Sequence, residues 1–127
     1  MNLDFEGLKD GKKLVTISAG TGDHAGPMQL VLYALASCAL TDLVSILQKQ
    51  RVQFRNLHCD IAAQRSVTLK ARPFEQIHLE FRVAADGLAE ENFRRSVDLS
   101  LDAYCGVHAT LAGGPAKITH SAIVLKQ

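Results

Sequence analysis

Tryptophan is absent from the 127 residues, only 6% are aromatic, and proline and cysteine each occur three times. These scarcities exclude several classes of function. Single-stranded nucleic acid is usually held by aromatics set among basic residues, and no such run exists here. Lysine and arginine number 14 against 13 acids, a net charge of +1. That balance supplies no field to draw phosphates or an anionic bilayer to the surface, so neither nucleic acid nor membrane is expected as a partner. Cys38, Cys59 and Cys105 are too few, and odd in number, for the disulfide framework of a small secreted domain. The opening MNLDFEGLKD carries acids early and has no apolar h-region, which argues against a signal peptide. A reducing cytoplasm is the compartment expected, and there such thiols are either buried fillers or reactive groups. No phosphate-cradling glycine loop, nucleophile elbow or EF-hand loop is present.

What the chain does have is apolar residues, 47% of the total, enough for a proper core. Length and the absence of a linker, repeat or low-complexity tract predict a single domain over residues 1–127. NLDFEGL and KLVTIS flank Lys9-Asp10-Gly11-Lys12, a hairpin signal because Asp-Gly suits a tight turn with positive φ. Gly26-Pro27 opens a helix that runs to about Gln50, roughly 36 Å long. It is apolar nearly all round from Met28 to Leu40, then amphipathic through Leu40, Leu43, Val44 and Leu47. Ala25 to Thr41 falls just short of the roughly 18 apolar residues of a membrane span and includes Gly26, Pro27, Gln29 and Ser37, so a buried helix is expected. A helix apolar on every side needs burial on every side, more than one small domain supplies, and a two-fold homodimer follows.

LHCDIAA and FEQIHLEFRV alternate apolar with polar residues as strands with one wet face. From Ala89 to Tyr104, Phe93, Val97, Leu101 and Tyr104 make a helical stripe, with Glu90, Glu91, Arg94, Arg95 and Asp98 outside. VHATLA is a short helical turn closed by Gly113-Gly114-Pro115, and KITHSAIVLK is a last strand. The order ββ-α-ββ-α-β is that of an α+β domain with antiparallel strands supporting helices.

The chemistry available is that of sulfur. Cys59 falls on the apolar face of its strand, where cysteine acts as a small hydrophobe. Cys38 lies on a helical line with Val31, Ala34, Asp42, Ser45 and Lys49, apolar before the sulfur and polar after it. That places it at the edge of a pocket. Cys105 sits between two helices, where the positive end of the second would favour a thiolate, and His108 follows one turn on. Core filler, metal ligand and redox partner are the three readings of Cys105. Zinc is disfavoured because Cys38, Cys105 and His108 lack close-paired ligand spacing. The five histidines (24, 58, 78, 108 and 120) form no HxxxH-type pair, so no metal or other cofactor is expected.

GPMQLVLYALASCALTDLVSILQKQ resembles the central-helix signature of the OsmC/Ohr family, the osmotically inducible and organic-hydroperoxide-resistance proteins. RSVDLSLDAYCGVHATL is similar to the family's second-cysteine motif, and PFEQIHLEFRV fits the strand between them. The likeness spans roughly residues 26 to 125. It implies an intertwined α+β homodimer whose strands wrap long central helices. It also implies a thiol peroxidase in which Cys38 attacks a small organic hydroperoxide and Cys105 resolves the sulfenic acid as a disulfide. A dithiol, lipoyl-type in several members, would then reduce the enzyme.

The chain departs from the family pattern at the usual Asn-Pro-Glu helix opening. Gly26-Pro27 stands there, and Met28 takes the glutamate's place. No arginine precedes Arg51, so the family's thiolate-holding arginine is missing too. Gln29, His24, Lys9, Lys12, Lys13, Arg51 and Arg55 are the candidate substitutes. The pattern is closer to a branch that keeps both cysteines and begins its helix with Pro-Met. An apolar approach along Val31, Ala34 and Leu35 would favour an alkyl peroxide. The competing reading is a non-catalytic small-molecule-binding dimer with inert cysteines.

Overall fold

The computed structural model describes residues 3–19 and 22–126. They belong to two compact units, Met1–Ala34 and Leu35–Gln127, whose boundary lies inside one continuous helix. A boundary of that kind leaves no linker for a sequence to display.

In the first unit β1 (Leu3–Lys9) and β2 (Lys12–Ala19) pair antiparallel. Asp10 and Gly11 between them have φ of 53° and 79°, both positive as a two-residue type I′ turn requires. The register slips at Gly7/Leu8. A Cβ on Gly7 would come within 2.6 Å of Val15 Cγ1, so the strands approach there as only glycine permits. Ser18 organises the following loop: its Oγ–H donates to Asp4 Oδ1 at 2.7 Å and its oxygen accepts the His24 N–H at 3.1 Å. At the start of α1 (Pro27–Lys49), Gln29 Oε1 accepts the Gly26 N–H at 2.9 Å. This is the reciprocal half of a capping box, satisfying a donor the helix leaves free.

The second unit contains the rest of α1 and a three-stranded sheet ordered β3-β4-β5. β3 (Arg55–Arg65) and β4 (Phe74–Ala84) are antiparallel, with Cys59 opposite Phe81 and Ile61 opposite Leu79. β5 (Lys117–Leu125) departs from the antiparallel expectation and runs parallel to β4, Ile118 beside Ile77 and Val124 beside Val83. The chain reaches β5 through α2 (Glu90–Leu99), a π-helical turn (Ser100–Tyr104) and α3 (Gly106–Leu111). Parallel neighbours need such a long helical crossover.

Ile77, Leu79, Phe81 and Val83 present one buried face of β4, and Phe93, Val97 and Leu101 of the crossover are buried with them. α2 is fixed along β5 at two points: Glu90 Oε2 accepts the Val124 N–H at 3.3 Å, and Asp98 Oδ1 meets His120 Nε2 at 2.5 Å. Eight helical residues and four strand residues both span about 12–13 Å, so the two ties match in length and run in opposite senses. Asp98, expected outside, is thus held by His120. On α1, Leu35, Ala36, Ala39, Leu43, Ile46 and Leu47 are buried.

Replacing Phe93, fully buried, with alanine is expected to cost about 3–5 kcal/mol. Leu69→Ala, at a position 57% exposed, should stay within about 0.5 kcal/mol of the parent. Urea unfolding at fixed protein concentration checks this, and equal losses would contradict the assigned core.

Candidate dithiol site

Cys38 lies partly exposed in the part of α1 that belongs to the second unit, while Cys105 is 2% exposed where the π-turn gives way to α3. Both are free thiols, and they lie near enough for the Cys38 side chain to act on the Cys105 thiol. The structure therefore brings together the two sulfurs that the sequence motifs single out.

Burial pushes the Cys105 thiol up to about 11. Its sulfur caps α3 by accepting the His108 N–H at 3.3 Å, which pulls downward, as does the Val107 N–H. The Cys38 side chain beside it pushes up again. The helix-end effect anticipated from sequence is present, but desolvation outweighs it. Cys105 is a thiol that keeps its proton, not a thiolate.

The π-turn explains why Cys105 is inside. A regular α-helix through residue 104 would carry Tyr104 on the stripe of Phe93, Val97 and Leu101. The turn instead joins the Cys105 N–H to the Ser100 carbonyl at 2.8 Å, five residues back. One extra residue in the turn advances the phase by one position. Tyr104 moves out to 61% exposure and Cys105 takes the buried place. This corrects the stripe read from sequence at its last member.

Two serines form part of the same packing. Ser100, 1% exposed, donates from Oγ to the Ala39 carbonyl at 2.7 Å, and Ala39 follows Cys38 directly. Ser96 and the side-chain amide of Gln50 bond at 3.2 Å. Neither serine was among the candidate residues. The signal available was a hydroxyl recurring every four residues on an otherwise apolar stripe, Phe93-Ser96-Val97-Ser100-Leu101, since buried hydroxyls need partners.

Cys59 stands apart from the pair in its contacts. Its thiol donates to the Asp60 carbonyl at 3.7 Å, and burial, with the Asp60 charge second, pushes it up to about 12. It keeps its proton at neutral pH. Among the described residues no three histidine, cysteine or acidic side chains converge to hold a metal ion.

Gln29 uses its carbonyl oxygen to cap α1. Arg51 lies beyond the C-terminal end of α1, and Lys49 at that end is already about 16 Å of helix axis from Cys38. Lys9, Lys12, Lys13 and His24 belong to the first unit and Arg55 opens β3. Arg82 pairs with Asp60 and Glu80, and Arg94 and Arg95 with Glu91. Leu35 is fully buried and does not line an approach to Cys38, which corrects that part of the sequence reading.

A family model described as OsmC-like protein matches residues 20–121. Protein YhfA of Escherichia coli strain K12 is 34% identical over 120 residues, covering 94% of this chain and 88% of that protein. An OsmC-like protein from Mycoplasma pneumoniae superposes with a TM-score of 0.77 at 17% identity, covering 98% of this chain and 96% of that one. The organic hydroperoxide resistance protein OhrB of Bacillus subtilis superposes with a TM-score of 0.63 at 13% identity, covering 97% and 96%. These two likenesses describe the fold.

The raised thiols set an alkaline limit on stability. Above the ordinary value of 9.0, unfolded Cys59 and Cys105 release protons that the folded chain keeps until about 12 and about 11. The unfolded state then binds fewer protons, so stability falls as pH rises through that window and is untouched below it. Urea midpoints measured at pH about 8 and about 11 should fall less in Cys59→Ala than in the parent. An equal fall would assign the alkaline loss to other groups.

Proposed function

The chain belongs to the OsmC-like protein family, and we propose that it is a two-cysteine thiol peroxidase that reduces small organic hydroperoxides. The observation that carries this reading is the nearness of Cys38 and Cys105, one partly open to solvent and the other buried and protonated.

The two sulfurs then have different tasks. A thiolate is the competent nucleophile, and the accessible Cys38 is the one a peroxide reaches. Cys38 S⁻ attacks the terminal peroxide oxygen, the O–O bond breaks, and the departing alkoxide takes the proton that Cys38 released. The products are an alcohol and a Cys38 sulfenic acid. Cys105 next attacks that sulfur. The S–O bond breaks as the S–S bond forms, and the Cys105 proton leaves with the hydroxide as water. The raised pKa keeps Cys105 from competing with Cys38 for the peroxide, and its proton is lost as it attacks. A dithiol, lipoyl-type by family analogy, reduces the disulfide and is itself oxidised to a disulfide.

The active form is proposed to be a homodimer. α1 is long and apolar enough by composition to cross a membrane, yet only 28% of its most apolar stretch is buried within one chain. Phe5, Leu8 and Leu14 of the hairpin are also more than half exposed, and a two-stranded hairpin alone is marginally stable. A second copy of the chain suits these surfaces better than a bilayer does. α1 carries Asp42, Ser45 and Lys49 on the line of Cys38, which lipid would penalise.

One equivalent of cumene hydroperoxide should convert the reduced protein to a Cys38–Cys105 disulfide, read by peptide mass mapping. Cys38→Ser should abolish oxidation, whereas Cys105→Ser should stop at the sulfenic acid and proceed to sulfinic acid with excess peroxide. Cys59→Ser should behave as the parent. A parent protein that keeps both thiols under this treatment would overturn the peroxidase and leave the inert binding dimer. Sedimentation equilibrium should give twice the chain mass, and a monomer would contradict the proposed assembly.

A further inference from the structure

We propose that Ser100 is a positioning residue for the dithiol, holding Cys105 beside Cys38 through a hydrogen bond to α1. The inference deepens the peroxidase reading and rests on it for its biological use, although its geometry is independent of any peroxide.

Three other helical hydroxyls of this chain set the comparison. A serine or threonine inside a helix ordinarily turns back to the carbonyl four residues earlier. Thr41 does so to Ser37, Ser96 to Asn92 and Thr110 to Gly106, at 2.8, 3.1 and 2.8 Å. Ser100 does not. Its hydroxyl leaves its own helix and donates to the Ala39 carbonyl at 2.7 Å in a fully buried setting. A carbonyl oxygen has two lone pairs, so Ala39 can accept this bond while keeping its place in the ladder of α1.

The backbone of Ser100 does the complementary work. Its carbonyl accepts the Cys105 N–H across the π-turn at 2.8 Å. One residue therefore binds the backbone of Cys105 with one polar group and the backbone of the residue after Cys38 with the other. Disulfide formation tolerates little error in Cα and Cβ separation, and holding two reactants in register raises their effective concentration. Without the hydroxyl the π-turn loses its link to α1 beside Cys38. Ser96, the other buried serine of the stripe, meets Gln50 beyond the end of α1, far from the thiols, and makes the natural control.

The test uses glutathione redox buffers and no peroxide. The full chain is equilibrated at graded ratios of reduced to oxidised glutathione, and the fraction holding the Cys38–Cys105 disulfide is read by mass spectrometry. Ser100→Ala should need a buffer about tenfold more oxidising to reach half-oxidation, a tenfold loss of effective concentration. Ser100→Thr, which keeps a hydroxyl, should lie closer to the parent, and Ser96→Ala should match it. If Ser100→Ala does not fold, Ser100→Gly lacks the same group and carries the same test. The proposal is overturned if the hydroxyl-free variant matches the parent, if threonine and alanine behave alike, or if Ser96→Ala shifts the midpoint equally. A protein inert to hydroperoxide but sensitive at Ser100 would overturn the peroxidase and keep this assignment. A peroxidase indifferent to Ser100 would do the reverse.

Discussion

Cys38 and Cys105 can meet only because the crossover between β4 and β5 lies against the second half of α1. Apolar burial supplies the driving force, through Leu35, Ala39, Leu43 and Leu47 on α1 and Phe93, Val97 and Leu101 on the crossover. Burial is not directional, so it does not by itself fix which residues face each other. Direction comes from the few polar groups within the packing: Ser100 to Ala39, Ser96 to Gln50, and Asp98 to His120 on the sheet side. The parallel placement of β5 is what obliges the chain to make this crossover at all.

Within the site two ordinary effects compete, and their sizes decide the outcome. The amide donors at the start of α3 favour negative charge on Cys105, while loss of water opposes it, and desolvation wins. The Cys105 thiol is therefore stored protonated beside a sulfur that solvent can reach. An asymmetric pair of this kind can divide one reaction into an attack and a resolution without a metal ligand set or a separate general base. The Arg–Glu pair of the family pattern is missing from the sequence, where Met28 takes the glutamate's place and no arginine precedes Arg51, and the neighbour that the Cys38 side chain acts on is the Cys105 thiol.

Periodicity made much of the fold legible. The Asp10-Gly11 turn, the bounds of α1, the paired strands β3 and β4 and the short α3 all follow from alternation, helical spacing and turn chemistry. Other features leave no such trace. The alternation of KITHSAIVLK marks a strand but says nothing of its direction, so the parallel pairing of β5 was hidden. A π-turn displaces the phase by one residue at the end of a stripe, where no later apolar position remains to reveal it. Cys105 rather than Tyr104 is buried for that reason. The meeting of Cys38 with Cys105 was legible through likeness to a family and not through the spacing of the residues. Ser100 looked like a tolerated polar residue because its partner is a backbone carbonyl, which carries no sequence signal.

The most direct measurement of the central claim is a map of the disulfide formed when the reduced chain is titrated with a thiol-specific oxidant such as diamide. One intrachain bond between Cys38 and Cys105 is expected, with a mass lower by two hydrogens, Cys59 still free, and a single-chain band on a non-reducing gel. A bond that involves Cys59, or one that links two chains, would contradict the contact on which the site is built.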